Sequence, residues 1–156
     1  MSEPGEKKAS QAFPVHIPFV EELGLELISF DNGESELALD LGESHMNSFR
    51  VAHGGIIMTL LDVAMAHAAR SVNRSAEGYG PGLVTIEMKT SFMRPGEGRL
   101  RATGKLLHRT ATMAFCEGSV FAGDGKLSAH ATGTFKYVRA LPAQGHVIKP
   151  LQSRDG

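Results

Sequence analysis

Between His45 and Asp62 the sequence gathers a density of polar residues that folding alone does not require: His45, Asn47, Ser48, Arg50, His53, Thr59 and Asp62, with Gly54 and Gly55 in their midst. Apolar periodicity sets in at the glycines, so His53, Gly54 and Gly55 stand at the start of a helix. The first N–H groups of a helix have no partner within it, and the helix dipole adds partial positive charge there, so an oxyanion would be stabilised at this point. Glycine at both positions lets a carbonyl approach the backbone without meeting a Cβ. A plain glycine turn that merely starts the helix fits the same residues. Asp62 lies two turns further on, among apolar neighbours, where a carboxylate needs water, a partner or a chemical purpose. A second reading of Asp62 stays open, because Thr59, Asp62, His67 and Arg70 share an arc of about 140° and could form a solvated face. Ile56, Val63 and Ala66 interrupt that arc, so a second subunit covering it is also compatible.

The elements that must position these groups are legible around them. Residues 1–12 and 139–156 are polar and hold Pro4, Gly5, Pro142, Gly145 and Pro150, which predicts two flexible tails around a domain at 13–138. Removing 1–12 and 145–156 is expected to leave activity nearly intact. Pro18 to Leu23 ahead of Gly24 suggests a short helix. Two alternating runs, 25–30 and 34–41, flank Asp31, Asn32 and Gly33, a tight hairpin turn. From Gly54 to about Val72 the residues Ile57, Leu60, Leu61, Ala64, Met65, Ala68 and Val72 recur at helical spacing. Four strands follow at 83–93, 99–108, 112–121 and 127–138, separated by turn sequences. In the first of them Val84, Ile86, Met88 and Phe92 are expected on one face and Thr85, Glu87, Lys89 and Ser91 on the other. One apolar helix among consecutive short-linked strands is best buried by an antiparallel sheet curling around it, an α+β hot-dog architecture.

Composition narrows the function classes. The 156 residues suit one domain, and 42% hydrophobic with 21% charged residues is ordinary for a globular chain. A formal net charge of −1 offers no basic field for nucleic acid or anionic membrane. The amino terminus lacks the apolar stretch of a secretory signal, and no run reaches the roughly 18 apolar residues of a membrane span, so a cytoplasmic location is expected. The lone Cys116 cannot form an intrachain disulfide and reads as a buried thiol in a reducing compartment. The seven histidines suggest metal, yet His45, His53 and His67 match no ligand spacing, so no metal is expected. No nucleophile elbow of the Gly-x-Ser-x-Gly kind occurs.

The spacing Asn47-x5-His53-Gly54-Gly55-x6-Asp62, with Pro81 to Met88 and Ser91 to Pro95 downstream, resembles the hot-dog acyl-CoA thioesterases of the phenylacetyl-CoA (PaaI) branch, over about residues 18–138. The resemblance implies that Asp62 is the catalytic carboxylate, as general base or nucleophile, and that the Gly54 N–H is the oxyanion donor. It implies that Asn47 and Thr85 hold the water or thioester, with His53 supporting the loop and Gly55 beside the substrate. Arg94, Arg109 and Thr110 become candidates for the coenzyme A phosphates. No separate cofactor is implied, since coenzyme A is part of the substrate. A homo-oligomer is expected, a dimer joined through sheet edges or a tetramer of two dimers, with Thr85 meeting an acid across the interface. Dehydratases of the same architecture fit less well, because their His-Phe-Pro signature is missing beside His53. A non-catalytic acyl-CoA sensor is the alternative, against which Asn47, Asp62 and Thr85 stand together.

Overall fold

A computed structural model describes residues 7–143 and 147–150. Helix α1 spans Pro18–Glu22 and is followed by the hairpin β1 (Glu26–Asp31) and β2 (Glu34–Asp40). The turn between them holds Asn32 and Gly33 at φ 49° and 80°, the left-handed backbone that an asparagine–glycine pair tolerates. A single 3-10 turn at Glu43–His45 leads into the long helix α2, Gly54–Ser71. Strands β3 (Gly82–Phe92), β4 (Arg99–Arg109), β5 (Met113–Phe121) and β6 (Leu127–Val138) follow. All pairings in the six-stranded sheet are antiparallel, in the order β1-β2-β4-β5-β6-β3. The sheet holds α2 against one face, which is the hot-dog arrangement.

Why the sheet can close so tightly on the helix is visible at Gly104. A Cβ built there would lie 2.3 Å from the Ala64 carbonyl oxygen, so only glycine lets β4 touch the helix backbone. Gly118 and Gly133, on β5 and β6, give their space to the fully buried Met65. Leu37, Leu39, Leu60, Leu61, Leu100 and Phe135 fill the rest of the layer between helix and sheet.

The element order and most boundaries agree with the expectation from sequence within a residue or two. Three features differ. First, β3 does not alternate through its length: a bulge between Thr85 and Glu87 puts two successive residues on one side of the register. Thr85 consequently turns toward the helix, Ile86 is 53% exposed, and Met88 packs against the core. Second, the amino-terminal segment expected as a tail lies along the sheet from residue 7. Gln11 pairs with Leu27 and bonds the Ile28 carbonyl, while Lys7 and Lys8 reach Asp40 and Glu36. Third, the carboxy-terminal segment contains a hairpin, β7 (Ala140–Ala143) with β8 (Val147–Pro150). The outer parts of both expected tails, 1–6 and 151–156, fall outside the described residues. Among the described residues no helix is long and apolar enough to cross a membrane.

Candidate active site

The loop before α2 is built by its own polar side chains. His45 accepts from the Gly42 N–H through Nδ1 and donates through Nε2 to the Leu23 carbonyl at 2.7 Å, which ties the loop to the end of α1. Asn47 Oδ1 accepts from the N–H groups of Phe49 (2.9 Å) and Val51 (3.4 Å), so its carbonyl end organises the turn in which Arg50 takes φ 60°. The exposed ring of His53 caps the helix by accepting from Gly55 N at 2.8 Å. The Gly55 amide is thereby committed, and Ile56 and Ile57 donate to the His53 carbonyl. Among the described residues the Gly54 N–H is left without a partner. It is the one unengaged donor of the first turn, at the position where the helix dipole favours negative charge.

Asp62 lies on α2 facing β3, half-buried, and Thr85 Oγ1 donates to its Oδ1 at 2.6 Å. Burial pushes its carboxyl above the ordinary range, and the Thr85 hydrogen bond offsets part of that rise. The pair opens on a cleft of about 710 Å³ whose lining is largely apolar, including Val15, Met58, Val63, Leu83 and Met88. His67 and Arg70 share this wall at 2% and 6% exposure, so the arc that could have been a solvated face is packed instead. Sequence reasoning placed these two residues with Asp62 on the helix but missed that they line the same cleft. Their signal was three ionisable residues, at 62, 67 and 70, on a helix otherwise rich in Leu, Ala and Ile.

The expected constellation does not assemble within one chain. Asn47 and Gly54 line a separate pocket of about 380 Å³ with Phe92, Arg94 and Gly96. Asp62 lies eight positions beyond Gly54, which is about 12 Å along a helix axis. A single carbonyl needs its oxyanion donor and its attacking water each within about 3 Å, so Asn47 cannot share a water with Thr85 against Asp62 of the same chain. Thr85, expected to meet an acid across an interface, meets Asp62 of its own chain because the β3 bulge re-aims it. Of the phosphate candidates, Arg94 borders the Gly54 pocket and donates to the Leu127 carbonyl. Arg109 donates instead to Asn73, just past the other end of α2, and Thr110 accepts from the N–H groups of Thr112 and Met113 to build its own turn. The structure does not bring Arg109 and Thr110 to Gly54 or to Asp62. Among the described residues no group of three or more His, Cys, Asp or Glu is placed to hold a metal ion.

Comparison with known proteins bears on these features. The family model of the thioesterase superfamily matches residues 49–129. A protein of Saccharolobus solfataricus, provisionally named an esterase, is 31% identical over 134 residues, 85% of this chain and 87% of the other. The medium/long-chain acyl-CoA thioesterase YigI of Salmonella typhimurium is 28% identical over 142 residues, covering 83% of this chain and 91% of its own length. Among solved structures, a mutant form of the phenylacetic acid degradation protein PaaI from Thermus thermophilus superposes with a TM-score of 0.68 at 27% identity, covering 78% of this chain and all of the other.

Proposed function

The chain belongs to the thioesterase superfamily, and on that premise we propose that it hydrolyses an acyl-CoA thioester to the free acid and coenzyme A. The observation that carries this reading is the Asp62–Thr85 pair at the mouth of an apolar cleft roomy enough for an acyl group. Thr85 holds Oδ1 and orients the carboxylate, leaving Oδ2 for a water. A carboxyl whose pKa is raised by burial is a better base at neutral pH than an ordinary aspartate. Asp62 takes the proton, the water oxygen attacks the thioester carbonyl, and the oxyanion forms on the unengaged Gly54 N–H at the helix start. Collapse of the tetrahedral adduct expels the coenzyme A thiolate.

The 12 Å between donor and base is bridged by a second copy of the chain. Strand β3 is an edge of the sheet, paired on one side with β6, and it exposes Ile86 and Phe92 at 53% and 52%. One end of β3 holds Thr85 against Asp62; the other holds the Phe92 ring 3.5 Å from where a Gly54 Cβ would lie. Antiparallel pairing of two β3 strands about a two-fold axis sets the first end of one copy against the second end of the other. Asp62 and Thr85 of one subunit then face Gly54 and Asn47 of the partner subunit, and Arg94 lies on the side of the coenzyme. The lone Cys116 has no second cysteine in this sequence to pair with, which suits a reducing compartment such as the cytoplasm.

A hydrolysis screen over short, medium, long and aryl acyl-CoA thioesters, followed through the free thiol released, tests the activity. Turnover of at least one class is the expected result. Tight binding of these thioesters with no turnover of any would establish a sensor in place of an enzyme. Sedimentation at assay concentration should show a dimer or a multiple of it, and a strictly monomeric active species would sink the shared site.

A further inference from the structure

The cleft that opens on Asp62 does not end in an apolar wall. Arg70 stands eight residues beyond Asp62 on the same helix, about 12 Å along its axis, and is 6% exposed. Among the described residues its side chain makes no hydrogen bond or salt bridge, and its Nε is shut away from solvent with no partner. Asp62 is no counterion for it, being engaged by Thr85 two turns away. Beside it His67, which burial keeps neutral, donates through Nδ1 to the Val63 carbonyl at 2.8 Å, so its buried Nε2 is an acceptor that has no donor among the described residues. Its ring packs edge-on against Phe13 and Phe30, which holds it in the wall.

Of these two unmet groups the guanidinium decides what the wall is complementary to. Removing an ion from water costs far more than removing a neutral ring nitrogen, and the cost is recovered only by an opposite charge with good hydrogen bonds. A neutral His67 leaves that charge unopposed. We propose that the cleft takes acyl groups that end in a carboxylate, the half-thioesters of dicarboxylic acids, with Arg70 as the residue that binds the distal carboxylate. The inference rests on the acyl-CoA hydrolase reading above and adds the substrate class to it. The guanidinium fork can engage both oxygens of a carboxylate at once, whereas a methyl terminus would leave the cation buried and unpaired. The span from Asp62 to Arg70 suits an acyl chain of medium length, with the thioester at one end and the acid at the other.

The test compares substrates matched in length and differing only at the far end: adipyl-CoA with hexanoyl-CoA, suberyl-CoA with octanoyl-CoA, sebacyl-CoA with decanoyl-CoA. Wild-type enzyme is expected to favour the carboxylate-terminated member of the best-fitting pair by about tenfold or more in kcat/KM, as a charge-assisted pair in a dry wall should give. Arg70→Gln should reverse that preference through KM, with kcat moving little, and Arg70→Lys should restore part of it. Should Arg70→Gln fail to fold by circular dichroism, the wild-type ratios decide alone. Wild type that turns over the methyl-terminated thioesters better in every pair overturns this inference and leaves the hydrolase reading standing. A preference for the carboxylate that survives Arg70→Gln assigns it to another residue and overturns the role of Arg70. No hydrolysis of any thioester, in these pairs or in the wider screen, overturns both readings.

Discussion

The two sides of α2 treat buried polar groups in opposite ways. On the side pressed to the sheet each one is answered: Ser35 Oγ donates to the Ala64 carbonyl at 2.6 Å, Ser71 Oγ to the Ala68 carbonyl while accepting from Gly33 N, and Tyr137 Oη to the Ala69 carbonyl at 2.8 Å. Two of these carbonyls belong to the last turn of the helix, which cannot satisfy them itself. On the cleft side, among the described residues, Asp62 has one side-chain bond for its two oxygens, while His67 Nε2 and Arg70 Nε have none. A polar group buried without a partner costs stability, so a side that carries two such residues beside a half-buried acid, all within nine positions, is maintained for something other than folding. The sheet side is what holds the helix, and the cleft side is what the fold holds it for.

The largest effect that can break this contrast is on catalysis. Asp62→Asn keeps the shape and can still accept from Thr85, yet it cannot take a proton, so kcat should fall by at least about 10²-fold with KM little changed. Its effect on stability should have the opposite sign. Because the folded-state pKa of Asp62 lies above its unfolded value of 3.8, the folded chain holds that proton more tightly, and stability falls as pH rises through the window between the two values. At pH 7 the ionised carboxylate therefore costs stability, and Asp62→Asn should melt no lower than wild type. An active but destabilised Asp62→Asn would place Asp62 with the sheet side.

On the sheet side, Gly104→Ala should cost at least about 3 kcal/mol by denaturant unfolding, since the added Cβ meets backbone that cannot swing away. His67 gives an effect of similar size that depends on pH. Burial lowers its pKa from 6.5 to about 4, so the unfolded chain binds the proton more readily between those values and stability is lost as pH falls from 6.5 toward 4. The full loss is on the order of 3 kcal/mol, and unfolding of His67→Gln across that range should lack it. The smallest effect is Tyr137→Phe, which leaves the Ala69 carbonyl unanswered and should cost about 1–2 kcal/mol with turnover intact. Lost turnover in a folded Tyr137→Phe would show that the two sides are not separable.

Much of the fold is legible in the chain itself. The asparagine–glycine turn, the helix from Gly54 and the four strands after it follow from spacing between near neighbours, which the chain carries along its length. The unpartnered Gly54 amide was readable for the same reason, because a helix start leaves it so whatever packs around it. Asp62 was recognisable as a carboxylate on an apolar helix, and the family resemblance named Thr85 beside an acid across an interface. That Thr85 bonds Asp62 of its own chain was not legible, since it does so through a bulge that breaks the alternation expected at Val84, Ile86 and Met88. A bulge changes which face a residue occupies without altering the residue types, so no periodicity reports it.

Local geometry was thus determined by the sequence alone: where the helix begins, which residues recur on which of its arcs, and where the backbone turns. Tertiary structure alone decided what each arc meets. Thr59, Asp62, His67 and Arg70 share one arc in any helix of this sequence, and the same four would face water in a helix left uncovered. They line a cleft here because the amino-terminal segment and β3 close over that arc, bringing Val15 and Leu83 from positions far away along the chain. Burial is a property of what packs against a residue, and those partners are set by chain topology rather than by neighbouring residues.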